Sequence, residues 1–177
     1  YGLSALTART PVTPEERQAY IQRLLKEGMI TEAYLTWVHG LSPPEREQMG
    51  LLHNGGFELP LGTAGFDWRS IPHRQVVART ATTFGVGGER ALQLVFRNQE
   101  GPFHHLRQSL YLEPGTYRLT GKVRSESLAS PGGLRWTLRC LQPREAVLGE
   151  SERFLGSEKW RGFRLDFAVP ADCRLQE

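Results

Sequence analysis

A mainly β chain, with two antiparallel sheets packed face to face behind a short helical region, is the architecture this sequence predicts. Three observations predict it: a helical apolar period that stops near residue 50, alternation of apolar and polar residues beyond His53, and turn residues at short intervals between the alternating runs. A length of 177 residues, 39% apolar and 23% charged, suits one principal core and excludes a disordered polyelectrolyte.

The helical region comes first. Thr13-Pro14-Glu15-Glu16 is a capping box, with Thr13 as N-cap, Pro14 at the first helical position and Glu16 returning the hydrogen bond. Ala19, Tyr20, Ile21, Leu24 and Leu25 then share one face, and Gly28 follows as a left-handed terminator, so a helix is expected to end near Glu27. A second amphipathic helix spans Ile30 to His39, with Ile30, Ala33, Tyr34, Trp37 and Val38 on its apolar face and Gly40 after it. Ser42 and Glu45 repeat the capping logic for a short third helix, Pro43 to Met49. Residues 1–50 therefore read as an N-terminal helical hairpin, a cap or linker that must bury its apolar face on the following domain or on units upstream. Tyr1 to Thr10 carries no basic segment followed by an apolar one and does not begin with Met, the pattern of a fragment or processed chain.

Residues 51–177 read as strands: Gly65 to Ser70, Gln75 to Thr82, Arg90 to Arg97, His104 to Leu112, Gly115 to Ser125, Gly133 to Leu141, Glu152 to Phe154, Lys159 to Val169, and a start at Cys173. Leu92, Leu94 and Phe96 alternate with Gln93 and Arg97. Tyr117, Leu119 and Val123 alternate with Arg118, Thr120, Lys122 and Arg124, and Leu134, Trp136 and Leu138 with Arg135, Thr137 and Arg139. Each strand is thus expected to have one wet face, which favours a sandwich.

Charge and thiols narrow the function classes. A net charge of +3 is too small to steer a polyphosphate, so nucleic acid is not a favoured partner. Residues 1–59 carry 5 basic and 7 acidic side chains and the remainder 17 and 12, of which 15 are Arg, whose planar fork suits carboxylates and hydroxyl pairs as readily as it suits a solvated strand face. No stretch approaches the roughly 18 uncharged apolar residues of a membrane-spanning helix. Cys140 and Cys173 lie outside any metal-ligand spacing; they read either as a disulfide, which would place the domain outside the cytoplasm, or as two buried thiols.

Leu52, Asn54, Gly55, Gly56, Phe57 and Glu58, a downstream Phe66-Asp67-Trp68, Arg90-Ala91-Leu92-Gln93-Leu94, the run from Gln108 to Arg124, and Trp160 to Pro170 follow one another in order. This succession resembles jelly-roll carbohydrate-binding modules with a galactose-binding-like fold, over about residues 51–177. Leu24-Leu25-Lys26-Glu27-Gly28 with Glu32-Ala33-Tyr34 looks like the last unit of a tetratricopeptide array, and the whole chain resembles the sandwich that ends bacterial tetratricopeptide proteins associated with cell-envelope polysaccharide. The resemblance implies an antiparallel jelly-roll β-sandwich, a periplasmic or cell-surface location, a poly- or oligosaccharide ligand, a protein partner through the helical part, and a structural calcium for which Glu58 is the ligand the motif carries over.

Sugar binding uses aromatic faces beside polar groups. Trp68 with Asp67, Phe103 with His104, His105 and Arg107 after a Gly101-Pro102 turn, and Trp160 beside Arg161 meet that description; each also reads as an ordinary core cap, loop rim or core lid. Arg97, Arg118, Arg124, Arg135 and Arg139 are candidates to line one concave face, while Trp136 and Trp160 read as core, the latter because Phe163, Leu165 and Phe167 continue the apolar phase. No nucleophile elbow is present, Gly85-Val86-Gly87-Gly88 lacks the Lys and helix of a phosphate loop, and Glu58, Asp67, Glu100 and Asp166 stand in no recognisable pair. The chain reads as a non-catalytic binding module, with a structural or protein-interaction sandwich as the alternative.

Overall fold

Thr13 and Glu16 exchange the two hydrogen bonds of the capping box, Glu16 N–H to Thr13 Oγ1 at 3.2 Å and Thr13 N–H to Glu16 Oε2 at 2.9 Å, and so start α1 (Pro14–Lys26). A cap of this kind contributes about 1 kcal/mol. Gly28, at φ 76°, takes the left-handed turn that a Cβ would resist and leads into α2 (Ile30–His39). Ser42 donates its N–H and hydroxyl to the Glu45 carboxylate at 2.7 and 2.5 Å, opening α3 (Pro43–Glu47). The computed structural model describes residues 12–97, 103–129 and 132–177. The reading of Tyr1 to Thr10, the Gly101-Pro102 turn and the candidate Glu100 lie outside the described residues.

Beyond α3 the chain is built of antiparallel strands: β1 (Arg69–Ser70), β2 (Val76–Thr82), β3 (Arg90–Phe96), β4 (Leu106–Arg107), β5 (Gly115–Leu128), β6 (Thr137–Gln142), β7 (Ala146–Glu150), β8 (Gly156–Val169) and β9 (Leu175–Gln176). They form small sheets, β1 with β4, β2 with β3, β5 with β8, and a three-stranded sheet in the order β7-β6-β9. Strand outweighs helix, 40% to 18%, so the chain is mainly β.

The β7-β6-β9 sheet lies at the centre, and its two faces feed two apolar clusters. On one side Leu141 and Leu175 meet Ile21, Leu24, Ile30, Ala33 and Trp37 of the helices, together with Phe66 and Tyr111. On the other, Leu138, Cys140 and Cys173 meet Tyr117, Leu119, Leu165 and Phe167 of the β5–β8 ribbon. The expectation of one wet face per strand therefore fails for β6: Cys140 and Leu141 point to opposite sides and both are covered. The helices use their apolar face on the strands, and polar links reinforce that seam. Gln142 Nε2 donates to the Leu25 carbonyl at 3.0 Å, Gln18 Nε2 to the Thr63 carbonyl at 3.1 Å, and the Thr31 and Tyr111 hydroxyls meet at 2.9 Å.

Cys140 and Cys173, 33 positions apart in the chain, form a disulfide, with Cα atoms 5.8 Å apart. Among the described residues there is no free cysteine. Other differences from expectation are local. The strands expected at Gly65 to Ser70 and His104 to Leu112 shrink to β1 and β4, because Phe66, Trp68, Gln108 and Ser109 turn into the interior instead of pairing. The strand expected at Glu152 to Phe154 is a single bridge between Leu134 and Phe154, while β7, unforeseen, pairs with β6 just upstream. In β7 the exposed Val147 and the Gly149 break the alternation that marks other strands.

Two outcomes follow. Replacing both cysteines by Ser lowers stability by about 3–4 kcal/mol, the loop-closure value for a bridge of this span, read as the shift in urea midpoint with slope unchanged. Trp37→Ala, which removes the largest helix-side ring from the shared cluster, costs about 3–5 kcal/mol and leaves one transition by both helix and tryptophan signals. Early loss of the helix signal alone would show that the helices fold independently of the strands.

Candidate functional site

The pieces that carry the sequence resemblance meet around three buried polar side chains. Asn54, 1% exposed and at φ 47°, closes its own loop by donating Nδ2 to the Leu59 carbonyl at 3.0 Å and accepting the Leu59 N–H on Oδ1 at 3.1 Å. Its carbonyl accepts the Phe57 N–H and the Trp68 indole N–H. Gln108 Nε2 donates to the carbonyls of His53 and Phe66 at 2.9 and 3.0 Å, which fastens the segment before β1 to the segment after β4. Unpaired, each of these buried amides would cost about 1–3 kcal/mol, so the polar letters of the motif serve loop closure first.

Trp68 is 5% exposed and stacked between Phe57 and Trp136, with ring centroids 5.1 and 5.5 Å away. It is a wall, not a free platform. Beside it, Asp67 Oδ1 accepts the Trp68 N–H at 2.8 Å and lies 3.9 Å from Nε2 of the buried His53. Burial pushes the Asp67 carboxyl above its usual range, against the pull of that backbone hydrogen bond and of His53.

A second aromatic group gathers Phe103, His105, Phe96 and His73. Phe103 packs edge-on against Phe96 at 5.5 Å and tilts over His105 at 5.4 Å, and the rings of His105 and His73 lie 4.4 Å apart. Burial first, then the neighbouring His73, His104 and Arg107, hold the His105 imidazole below its ordinary range. His104 is exposed, its carbonyl accepting from Arg107, whose guanidinium also lies 3.6 Å from Glu177.

Between the β2–β3 ribbon and the β5–β8 ribbon opens a cleft of about 2490 Å³. Of the residues singled out in the sequence, Glu58, Trp68, Phe103, His104, Arg107, Arg118, Arg124, Arg135 and Arg139 line it, whereas Asp67, Arg97 and His105 do not. The arginines do not converge on a shared anion. Arg118 pairs with Asp166 at 2.5 Å, Arg135 with Glu150 at 2.8 Å and Arg139 with Glu145 at 2.7 Å, and Arg124 lies over the Trp160 ring at 5.4 Å. Arg118 accordingly holds the Asp166 carboxyl below its usual range.

Glu58 Oε1 accepts the N–H groups of Glu89 and Arg90 at 3.1 and 3.5 Å, and so anchors the turn that joins β2 to β3. Among the described residues no group of three or more His, Cys, Asp and Glu side chains converges to hold a metal.

Two aromatic residues take places that the sequence did not reveal: Phe84 at the tip of the turn joining β2 to β3, and Trp160 in the cleft lining. Phe84, in that turn, is 88% exposed; its neighbours Gly85 to Gly88 marked a turn, but nothing in the pattern told a tip aromatic from a core one. Trp160 is not in phase with Phe163, Leu165 and Phe167: alternation along β8 sets it on the opposite face, half-buried against the ribbon turn. The shared apolar character of the four residues hid the odd spacing.

The raised Asp67 pKa means that the folded chain holds this proton more tightly than the unfolded chain does. The stability this gives in acid is lost as pH rises through the raised value. Asp67→Asn therefore melts above the parent at pH 7, with the gap closing as pH falls below the usual carboxylate range; thermal unfolding followed by circular dichroism at several pH values checks it. A variant less stable at pH 7 would show that attraction to His53 outweighs burial. The chain matches no family model, no curated protein and no solved structure.

Proposed function

We propose that the chain is a non-catalytic, jelly-roll module of the carbohydrate-binding type, presented by a tetratricopeptide-like helical hairpin in the periplasm or at the surface of a bacterium. The cleft between the β2–β3 and β5–β8 ribbons carries this reading. Its lining includes the rings of Trp68, Trp136 and Phe103 and the cationic and amide groups of Arg107, Arg135 and Gln108, the mixture that sugar recognition uses. The Cys140–Cys173 disulfide supports an oxidising compartment. Three of the four carboxylates weighed for hydrolysis are otherwise engaged: Glu58 by two amides, Asp67 by the Trp68 N–H, Asp166 by Arg118 and Arg164.

A second reading, a sandwich that serves a protein partner through its helices, is favoured by Tyr20, Met29 and Leu35, exposed on and between α1 and α2 while the inner helix face is spent on the strands. The two readings separate in one titration. Because Trp68, Trp136 and Trp160 line the cleft, binding of a neutral or acidic envelope polysaccharide alters tryptophan fluorescence, and Phe103→Ala weakens it by about tenfold. Silence across the polysaccharides by folded protein would sink the first reading, and a partner captured through Tyr20 and Leu35 would then carry the second.

A further inference from the structure

The turn that joins β2 to β3 is held from two sides. Glu58 fixes its Glu89 and Arg90 amides, and on the other side Lys122 Nζ donates to the Gly85 carbonyl at 3.2 Å while the Trp160 ring lies directly beneath Gly85, where a Cβ would come within 3.1 Å of it. A tethered turn has little freedom left to lose on binding, so whatever it displays is displayed in a set position. It displays Phe84, 88% exposed, the most exposed large apolar side chain among the described residues.

Under this tip the β5–β8 ribbon offers cations without carboxylate partners. Lys122 and Arg124 are two apart on β5 and share a face; among the described residues neither forms an ion pair, Lys122 reaching the Gly85 carbonyl and Arg124 the Trp160 ring. The cleft lining as a whole carries eight Lys and Arg side chains against five Glu, and Glu58 and Glu89 sit on the opposite side of the turn from Lys122. The Trp160 indole N–H, sheltered beneath the turn, has no acceptor among the described residues.

We propose that Phe84, Trp160, Lys122 and Arg124 form a subsite for a carboxylate-bearing sugar of an acidic oligosaccharide. This rests on the carbohydrate-binding reading above and names its ligand class. The Phe84 ring takes the C–H face of the sugar, and Lys122 with Arg124 takes the carboxylate, Arg124 already steered by its position over Trp160. A bilayer is the poorer fit, since one phenylalanine buries too little apolar surface to hold a chain on lipid and the cations face into the cleft rather than around the tip.

Calorimetric titration with an oligogalacturonate and with a neutral galactose oligomer of equal length tests it, alongside anionic phosphatidylglycerol vesicles. The acidic oligomer is expected to bind at least tenfold more tightly than the neutral one, more weakly as salt rises, with that preference lost in Lys122→Gln/Arg124→Gln and affinity for the acidic oligomer lowered at least fivefold in Phe84→Leu. Circular dichroism confirms that both variants fold. Equal binding of the two oligomers, untouched by the variants, overturns the subsite and leaves the carbohydrate reading standing. Binding of neither overturns both, and retention on vesicles through Phe84 without any saccharide response assigns the tip to a membrane instead.

Discussion

The structure depends on a short sheet that is apolar on both sides. Cys140 and Leu141, consecutive on one strand, enter two separate clusters, and each cluster needs its own cover. An antiparallel sheet usually leaves one face to water. Here the helices remove that option: Ile21, Leu24, Ala33 and Trp37 close one side while Leu165 and Phe167 close the other. The helices thus stand to this sheet as the second ribbon does, as part of a shared interior.

Where local chemistry decides the outcome, the residues could be read directly. Thr13 and Glu16 cap a helix because partners three positions apart can reach each other within one turn, and the alternation from Tyr117 to Val123 pairs with Leu165 and Phe167 as a two-residue period requires. Where the outcome depends on which strands become neighbours, the residues were silent. Ala146 to Glu150 becomes a strand only because the strand before it needs an edge partner, and Trp160 turns away from Phe163 by a phase that composition alone does not reveal. Three of the five arginines taken as candidates for one face, Arg118, Arg135 and Arg139, end beside separate acids, because those pairings follow from which strands become neighbours.

The candidate site was legible in part for the same reason. Trp68, Phe103, His104, Arg107 and Arg135 reach one cleft although they come from separate stretches, whereas Asp67 and His105 sit beside them in sequence and do not line it. Neighbours along an extended chain point to opposite sides, so a motif quoted as consecutive letters divides between interior and cleft. Asn54 and Gln108 show what the short polar letters are occupied with: closing one loop and joining it to a segment distant in sequence before any ligand is considered.

The covalent link between Cys140 and Cys173 encloses both the edge strand and the whole of β8. A protease that cut the exposed stretch around Arg144 and Glu145 would leave two polypeptides still tied together, with the long ribbon held against the central sheet. One broken peptide bond there leaves the fold covalently closed.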